Sequence, residues 1–338
     1  MNNNGKMKFA ICCYSGMEVE AMRDACKEND VDSEVVDLLS HDWLKKIQRH
    51  EYDAFLIRPT CSYDEHKAIF DERVYFISHI LKKNIYPNFD ELYTYENKRN
   101  MATWLQYCNA PHPETTVITK KEDAINFIDK TTFPVVSKAN LGSAGSAVKI
   151  IRNKKEATSL INSVFGRFHS EFALGNIPWG KRNNIPFPRV SRSQKHYLIL
   201  QEYLDIKHEW RIIKIGESYF GHQKLIGGNG FASGSDLVGW VDPPKELFKL
   251  TDEIMNLLNS RSMAVDILET QSGQYYVNEL QTIFGAYAPS QMYIENIPGR
   301  YILNESTSNY EFESGEYCNN ACWNLRVEDL IKKLKALS

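Results

Sequence analysis

The sequence predicts an α/β protein in two parts: a parallel-sheet first domain over residues 1–95 and a mixed, α+β region over residues 96–338. Three observations carry that expectation. Apolar runs alternate with helical stretches through residues 7–95, and parallel strands need such crossovers because a tight turn cannot join them. Two hairpin signals follow, one centred on Gly216-Glu217 and one on Ser272-Gly273. Ahead of both, the small-residue loop "ANLGSAGS" separates two short strands.

In chain order, "KFAICCY" reads as the first strand and "MEVEAMRDACKEND" as an amphipathic helix. "DSEVVDLL" and "YDAFLIRP" read as further strands, and "RVYFISHILKKN" as another helix. A single Gly16 follows the first strand, with no GxGxxG, so a dinucleotide site is not expected there. The polar helix "ENKRNMATWLQYCNA" ends at Pro111, where a missing N–H and a restricted preceding residue halt it. "FPVVSK" and "AVKIIR" flank the small-residue loop, "HYLILQEYL" is a buried strand, and "KELFKLTDEIMNLLNS" is a helix. Residues 166–195 lack periodicity and carry Arg167, Lys181, Arg182, Arg189, Arg192 and Lys195. That stretch reads equally as a site for an anionic substrate or as a solvated loop.

Composition excludes several classes. The chain of 338 residues is 43% hydrophobic and 25% charged, as a soluble globular protein is, and its net charge of −3 gives no global pull toward nucleic acid or anionic membrane. No run approaches the roughly 20 apolar residues that span a bilayer. The opening "MNNNGKMKFAICCYS" lacks the organisation of a signal peptide. Seven cysteines without CxxC fit a reducing compartment, and Cys318 and Cys322 read as structural thiols. A cytoplasmic enzyme or binding protein is expected, with no nucleic acid or membrane partner and with homo-oligomerisation left open.

The hairpins carry the chemistry. A two-residue loop at Ser272-Gly273 places Asp266 opposite Glu279, with Gln281 on the same face. Opposed carboxylates have Cβ atoms roughly 5 Å apart and repel, unless a cation sits between them. Oxygen ligands of this kind suit Mg2+. The alternative is a solvated hairpin whose charges face water. A Gly216-Glu217 loop sets Arg211 against His222 and Glu209 against Lys224, all on one face. Two or three cations around one acid suit a polyphosphate and a ribose hydroxyl, although cross-strand salt bridges on a wet face give the same pattern. Gly142, Ser143, Gly145 and Ser146 can close backbone N–H groups over phosphates, with Lys138 reaching beneath as a point charge. A tight hairpin with a solvated lysine reads the same way.

These pieces occur in a recognisable order: "ENK" with Lys98, "CNAPHPET", "FPVVSK" with Lys138, the loop at 142–146, "LQEYL", "EWR" with Arg211, "VDIL" with Asp266, and "NELQ" with Glu279 and Gln281. In that order the chain resembles the ATP-grasp superfamily, closest to its glutamate-ligase and glutathione-synthetase-like carboxylate–amine ligases, over roughly residues 96–290. The resemblance implies a Rossmann-like N-terminal domain over 1–95 followed by a two-subdomain ATP-grasp fold over 96–338. Its subdomains would span about 112–200 and 201–338, with ATP in the cleft between them. It implies that Lys98 and Lys138 contact ATP phosphates, that Gly142 to Ser146 cover them, and that Gln201, Glu202, Tyr203 and Leu204 form the hinge that holds adenine. By the same resemblance Glu209 binds ribose, Arg211 stabilises the transferring phosphoryl group with Lys224 assisting, and Asp266, Glu279 and Gln281 ligate Mg2+, or Mn2+ in its place. The family usually has Asn where this chain has Gln281.

Such a protein activates a carboxylate as an acyl phosphate, and an amine then attacks it, giving an amide, ADP and phosphate. Its partners are small-molecule or peptide carboxylates and amines. Phosphorylation of a hydroxyl, and nucleotide binding without turnover, stay open beside ligation. Arg58, at the end of a first-domain strand, is a candidate for a substrate carboxylate. Residues 231–240 and 284–290 are expected to line the cleft, with Arg300 nearby.

Overall fold

The computed structural model describes residues 6–49, 51–60, 64–142, 148–166, 195–228, 232, 237–286 and 288–337. Strands β1 (Lys8–Cys13), β2 (Asp32–Asp37), β3 (Ala54–Ile57) and β4 (Ile85–Tyr86) form a parallel sheet in the order β2-β1-β3-β4. All four residues of β3 are buried and so are five of the six in β1, as strands covered on both faces must be. Helices α1 (Glu20–Glu28), α2 (Trp43–Arg49) and α3 (Asp64–Tyr75) make the crossovers, and α3 runs on into a π-helical turn at Phe76–Ile80. Met22, Ala25 and Cys26, spaced as one helical face, turn α1 onto the sheet.

Two short helices, α4 (Phe89–Thr94) and α5 (Lys98–Tyr107), lead out of this sheet. Asn88 and Glu91 close a capping box on α4. Asn97 caps α5 by accepting from the Asn100 N–H, which fixes Lys98 as the first helical residue.

The second sheet is antiparallel, in the order β5-β8-β6-β7. Its strands are β5 (Thr115–Ile118), β6 (Val135–Lys138), β7 (Val148–Ile151) and β8 (Leu198–Glu202). Helices α6 (Lys121–Lys130) and α7 (Lys154–Phe165) cover one face through Ile128, Leu160, Ile161 and Val164.

The third sheet has eight strands: β9 (Ile206–Ile215), β10 (Ser218–Lys224), β11 (Val238–Gly239), β12 (Ser262–Thr270), β13 (Tyr275–Gln281), β14 (Tyr293–Ile294), β15 (Ile297–Asn304) and β16 (Asn309–Ser314). Its path runs β13-β12-β9-β10-β15-β14, with β11 on β10 and β16 on β15. Helix α8 (Lys245–Leu257) packs on it through Leu247, Phe248, Ile254 and Met255. The last helix, α9 (Trp323–Leu337), returns to α1, so that Trp323, Val327 and Leu330 share a core with Phe9, Ile11 and Met22. Each such side chain contributes about 1.5–3 kcal/mol on burial, enough to hold the C-terminal end against the first sheet. No helix among the described residues is long and apolar enough to cross a membrane.

Register decides which side chains meet. The first hairpin pairs as expected, Arg211 with His222 and Glu209 with Lys224, around a turn where Gly216 takes φ +55°. The second differs at its turn. Thr270 donates its N–H to the Gln274 carbonyl at 2.9 Å, leaving a three-residue loop, 271–273, in place of a two-residue one. A two-residue I′ turn needs positive φ at both central positions, and only Gly273, at +79°, supplies it. A bulge that leaves Asn278 outside the pairing then shifts the register by one, so Asp266 faces Glu279 after all.

Candidate active site between the second and third sheets

Lys98, Lys138, Gly142, Gln201 to Leu204, Glu209, Asn278 and Glu279 line one cavity of about 120 Å³ between the second and third sheets. Alternation within strands explains part of the lining. Val136 and Lys138 share a face of β6, and Val148 and Ile150 share a face of β7. The segment after β8 crosses to β9 and forms the back of the cavity. Gln201 turns its amide to the Thr115 hydroxyl at 2.9 Å, and the Glu202 N–H donates to the Glu114 carbonyl at 2.8 Å. Tyr203 and Leu204 line the cavity, and their backbone groups make no hydrogen bond among the described residues.

The charged end is dense. Lys98 Nζ donates to the Gly142 carbonyl at 2.6 Å and lies 3.5 Å from Glu279 and 3.7 Å from Glu96. Burial works against its charge, but Glu279 and Glu96 outweigh burial and raise its pKa. Lys138 Nζ donates to Asn278 Oδ1 at 2.8 Å. Burial pulls its pKa down to about 8, Glu279 and Glu209 opposing the shift and Lys98 adding to it. Asn278 also donates to Glu209 at 3.0 Å. Glu209 in turn accepts from Lys224. Burial raises the Glu209 pKa, against the pull of Lys224.

Asp266, with no exposed surface, accepts two hydrogen bonds from Arg211, both at 2.8 Å, and one from Lys224 at 2.9 Å. Burial would raise its pKa, but Arg211 and Lys224 hold the carboxylate ionised well below its usual range. The expectation that opposed carboxylates need an intervening cation is therefore met from within the chain: Arg211 and Lys224 serve Asp266, and Lys98 serves Glu279. His222 is not one of these cations. Its Nδ1 lies 2.8 Å from the Gln291 carbonyl, and burial lowers its pKa to about 4, so the ring is neutral near pH 7.

The metal expectation can be tested on the donors themselves. Among the described residues no group of three or more His, Cys, Asp or Glu is placed to hold a metal ion. What remains is two carboxylates and an amide. Glu279 Oε1 is buried and makes no direct hydrogen bond, with the Lys98 ammonium 3.5 Å away, so it keeps capacity for a closer cation. Gln281, opposite Ala264 at the end of β13, shares the strand face of Glu279 and could add an oxygen, although it does not line the cavity. An all-oxygen set with a carboxylate oxygen that makes no direct hydrogen bond fits Mg2+, and Asp266 would join it as Arg211 or Lys224 releases an oxygen.

Two residues escaped the sequence reading. Strict alternation puts Asn278 on the face away from Glu279, yet the bulge lets both line the cavity, and nothing in "VNEL" signals a bulge. Glu96, at 2% exposure, accepts from the Gly142 N–H at 3.1 Å beside Lys98. Its place in "ENK", ahead of Lys98, was the available signal. Ser143, Gly145 and Ser146 lie outside the described residues, as do Arg167, Lys181, Arg182, Arg189, Arg192 and half of 231–240, although Ala232 lines the cavity.

Arg58 and residues 284–286 lie elsewhere. They line a second cavity of about 620 Å³ with Tyr95, Ala321 and Trp323, between the first sheet and α9. Arg300 is not near the cleft. It pairs with Glu313 at 2.9 Å and donates to Ser218 at 2.8 Å, at the end of β10 opposite Lys224, because β15 pairs only with that end.

With the geometry established, comparison with known proteins is informative. Residues 96–174 match the RimK-like ATP-grasp domain. A glutamate–LysW ligase of Sulfurisphaera tokodaii is 24% identical over 275 residues, covering 79% of this chain and 86% of the relative. D-alanine–D-alanine ligase from Bacillus anthracis complexed with ATP superposes with a TM-score of 0.59 at 16% identity, covering 98% of this chain and 100% of that one. The D-cycloserine synthetase DcsG gives 0.60 at 14% identity, with 97% and 99% covered.

Proposed function

From the premise that this chain is an ATP-grasp protein with a RimK-like domain, we propose that it is an ATP-dependent carboxylate–amine ligase working through an acyl phosphate. The observation that carries this reading is the partly buried pair of lysines, Lys98 and Lys138, beside Glu279, whose Oε1 makes no direct hydrogen bond and lies 3.5 Å from Lys98. A protein that only binds nucleotide has little need of a carboxylate held there.

Adenine takes the hinge, where Tyr203 and Leu204 offer free backbone groups, and Glu209 takes the ribose. Lys98 and Lys138 hold the phosphates, and Arg211, assisted by Lys224, meets the charge that develops on the transferring phosphoryl group. Mg2+, or Mn2+, held by Glu279, Gln281 and Asp266 supplies neutralisation of the phosphate oxygens when bound. The chain is arranged for an exchange of partners. Lys98, Arg211 and Lys224, now engaged by carboxylates, turn to phosphate as those carboxylates are taken up. A substrate carboxylate oxygen attacks the γ-phosphorus and the bond to ADP breaks. An amine then attacks the acyl carbon, its proton passes to solvent, and phosphate leaves carrying that carboxylate oxygen. No nucleophilic Ser, Cys or His is required.

The larger cavity, lined by Arg58, suits the carboxylate substrate, of amino-acid or peptide class. A reducing cytoplasm suits the six described cysteines, all of them free thiols. The test is ADP release from Mg-ATP with pooled carboxylates and hydroxylamine, which traps an acyl phosphate as a hydroxamate. Carboxylate-dependent ADP and hydroxamate, lost in Glu279→Ala, are expected. ADP accompanied by a phosphorylated hydroxyl would make the protein a kinase, and ATP binding without any turnover would make it a sensor.

A further inference from the structure

Two guanidinium groups at the larger cavity lack a paired carboxylate, and the two acids that also line it, Glu18 and Glu20, are exposed to solvent. Arg58, just beyond the end of β3, lines the cavity, and its buried Nε has no partner. Its side chain makes no hydrogen bond or ion pair among the described residues, and the nearby Cys13 thiol is kept neutral by burial, which pushes it up to about 11. Arg326, on α9, is wholly buried. It spends one donor on the Ser262 hydroxyl at 3.1 Å, and neither Nη1 nor Nη2 has a partner. Its guanidinium lies 4.4 Å from the Phe284 ring centroid and 4.6 Å from that of Trp323, and both rings form the cavity wall. Arg326 is thus one aromatic ring behind the cavity that Arg58 faces, and the two charges repel.

The acids around Arg326 are committed elsewhere. Glu91 accepts from the backbone N–H groups of Asn88, Arg261 and Ser262 and from the Ser260 hydroxyl. Tyr86 donates to Asp329 at 3.0 Å, and Asp329 is paired with Arg261. The Cys322 sulfur accepts from Gln291 at 4.0 Å, and its pKa is lowered by its hydrogen bond with Cys318 and by Arg326, whose charge it offsets in part without a hydrogen bond to the guanidinium. A buried, unpaired cation is among the most expensive features a fold can carry, and its retention beside a cavity asks for a ligand rather than a packing role.

We propose that Arg58 and Arg326 form a dianion-binding site in this cavity, reached by Arg326 as Phe284 turns aside, and that it anchors a dicarboxylate or phosphate group on the substrate. Phe284 and its described neighbours 282–286 are in neither helix nor strand, so its displacement breaks no sheet hydrogen bond. A planar guanidinium presents paired donors to two oxygens, and two guanidiniums balance two negative charges. The assignment to substrate rests on the ligase reading above, whereas the binding itself does not.

The test is a thermal shift of the full chain with succinate, inorganic phosphate, or acetate at matched ionic strength, followed by titration calorimetry. Wild-type protein should be stabilised by succinate or phosphate and not by acetate, and the stronger of the two identifies the group. Arg58→Gln should weaken that ligand about 10–100-fold. Arg326→Met should abolish the response while its ligand-free melting temperature equals or exceeds that of wild type, because a buried uncompensated charge has been removed. A fall of several degrees in ligand-free Arg326→Met would assign Arg326 to structure and overturn the proposal. So would equal ligand responses in wild type and variant, or no wild-type response to either dianion. Failure of the ligase reading has a different signature: binding persists and no ADP is released. Turnover with an unchanged substrate KM in Arg326→Met would refute the site and leave the ligase standing.

Discussion

Lys138 gives the sharpest link between the geometry and a number. Burial, with Lys98 adding to it, lowers its pKa to about 8 while Lys98 stays charged through its own carboxylates. If Lys138 holds a phosphate oxygen, bound nucleotide returns its proton. Free protein near pH 7 carries Lys138 about nine-tenths protonated, and near pH 9 about one-tenth, so ATP affinity should fall about tenfold across that interval. Around pH 8, binding should take up about half a proton, read by calorimetry as the dependence of binding heat on buffer ionisation enthalpy. A non-hydrolysable ATP analogue with Mg2+ keeps chemistry out of the signal. Lys138→Arg should flatten the profile, because guanidinium does not titrate in this range. Affinity that is level from pH 7 to 9, or a slope that survives Lys138→Arg, would refute the placement of Lys138 at the phosphates.

Other expectations follow from the same contacts. Asp266→Asn leaves Arg211 and Lys224 without their shared carboxylate and should lower stability by about 3–5 kcal/mol in urea titrations, and a loss under about 1 kcal/mol would show the network to be unimportant. Glu279→Ala should keep the fold and reduce Mg-ATP turnover by at least about 100-fold, measured as ADP release. His222 is held neutral with its pKa lowered to about 4, so below its unfolded value near 6.5 the unfolded chain binds the extra proton. Its contribution is present above about pH 6.5 and lost as pH falls toward 4, by up to about 3 kcal/mol, and His222→Gln should remove that share of the acid sensitivity in denaturation curves at pH 4.5 and 7.

Much of this architecture was legible in local patterns, and the parts that were not have physical reasons. Alternation of strand and helix revealed the parallel sheet, and the Gly216 turn set the Arg211–His222 register correctly. The Asp266–Glu279 pairing was reached through a turn one residue too short, compensated by a bulge at Asn278 that no local propensity announces. Helices α6, α7 and α9 went unread, and α6 starts at Lys121 behind Lys120, which makes no side-chain cap to announce it. The pairing of α9 with α1 spans nearly the whole chain and is invisible to any window. The residue types of the cleft were visible, but which carboxylate takes which cation was not, because that choice is made by burial. Arg326 drew no notice in "NLRVEDL", where an arginine reads as solvated, and only the fold shows it enclosed and unpartnered.

The central claim is that a substrate carboxylate oxygen is phosphorylated by ATP and then expelled. Once a carboxylate supports ADP release, it can be supplied with both oxygens as 18O, and the inorganic phosphate examined by mass spectrometry after turnover with an amine. One 18O in each phosphate formed is the expected result. Unlabelled phosphate, with amide or without, would mean that no acyl phosphate forms and that the account is wrong.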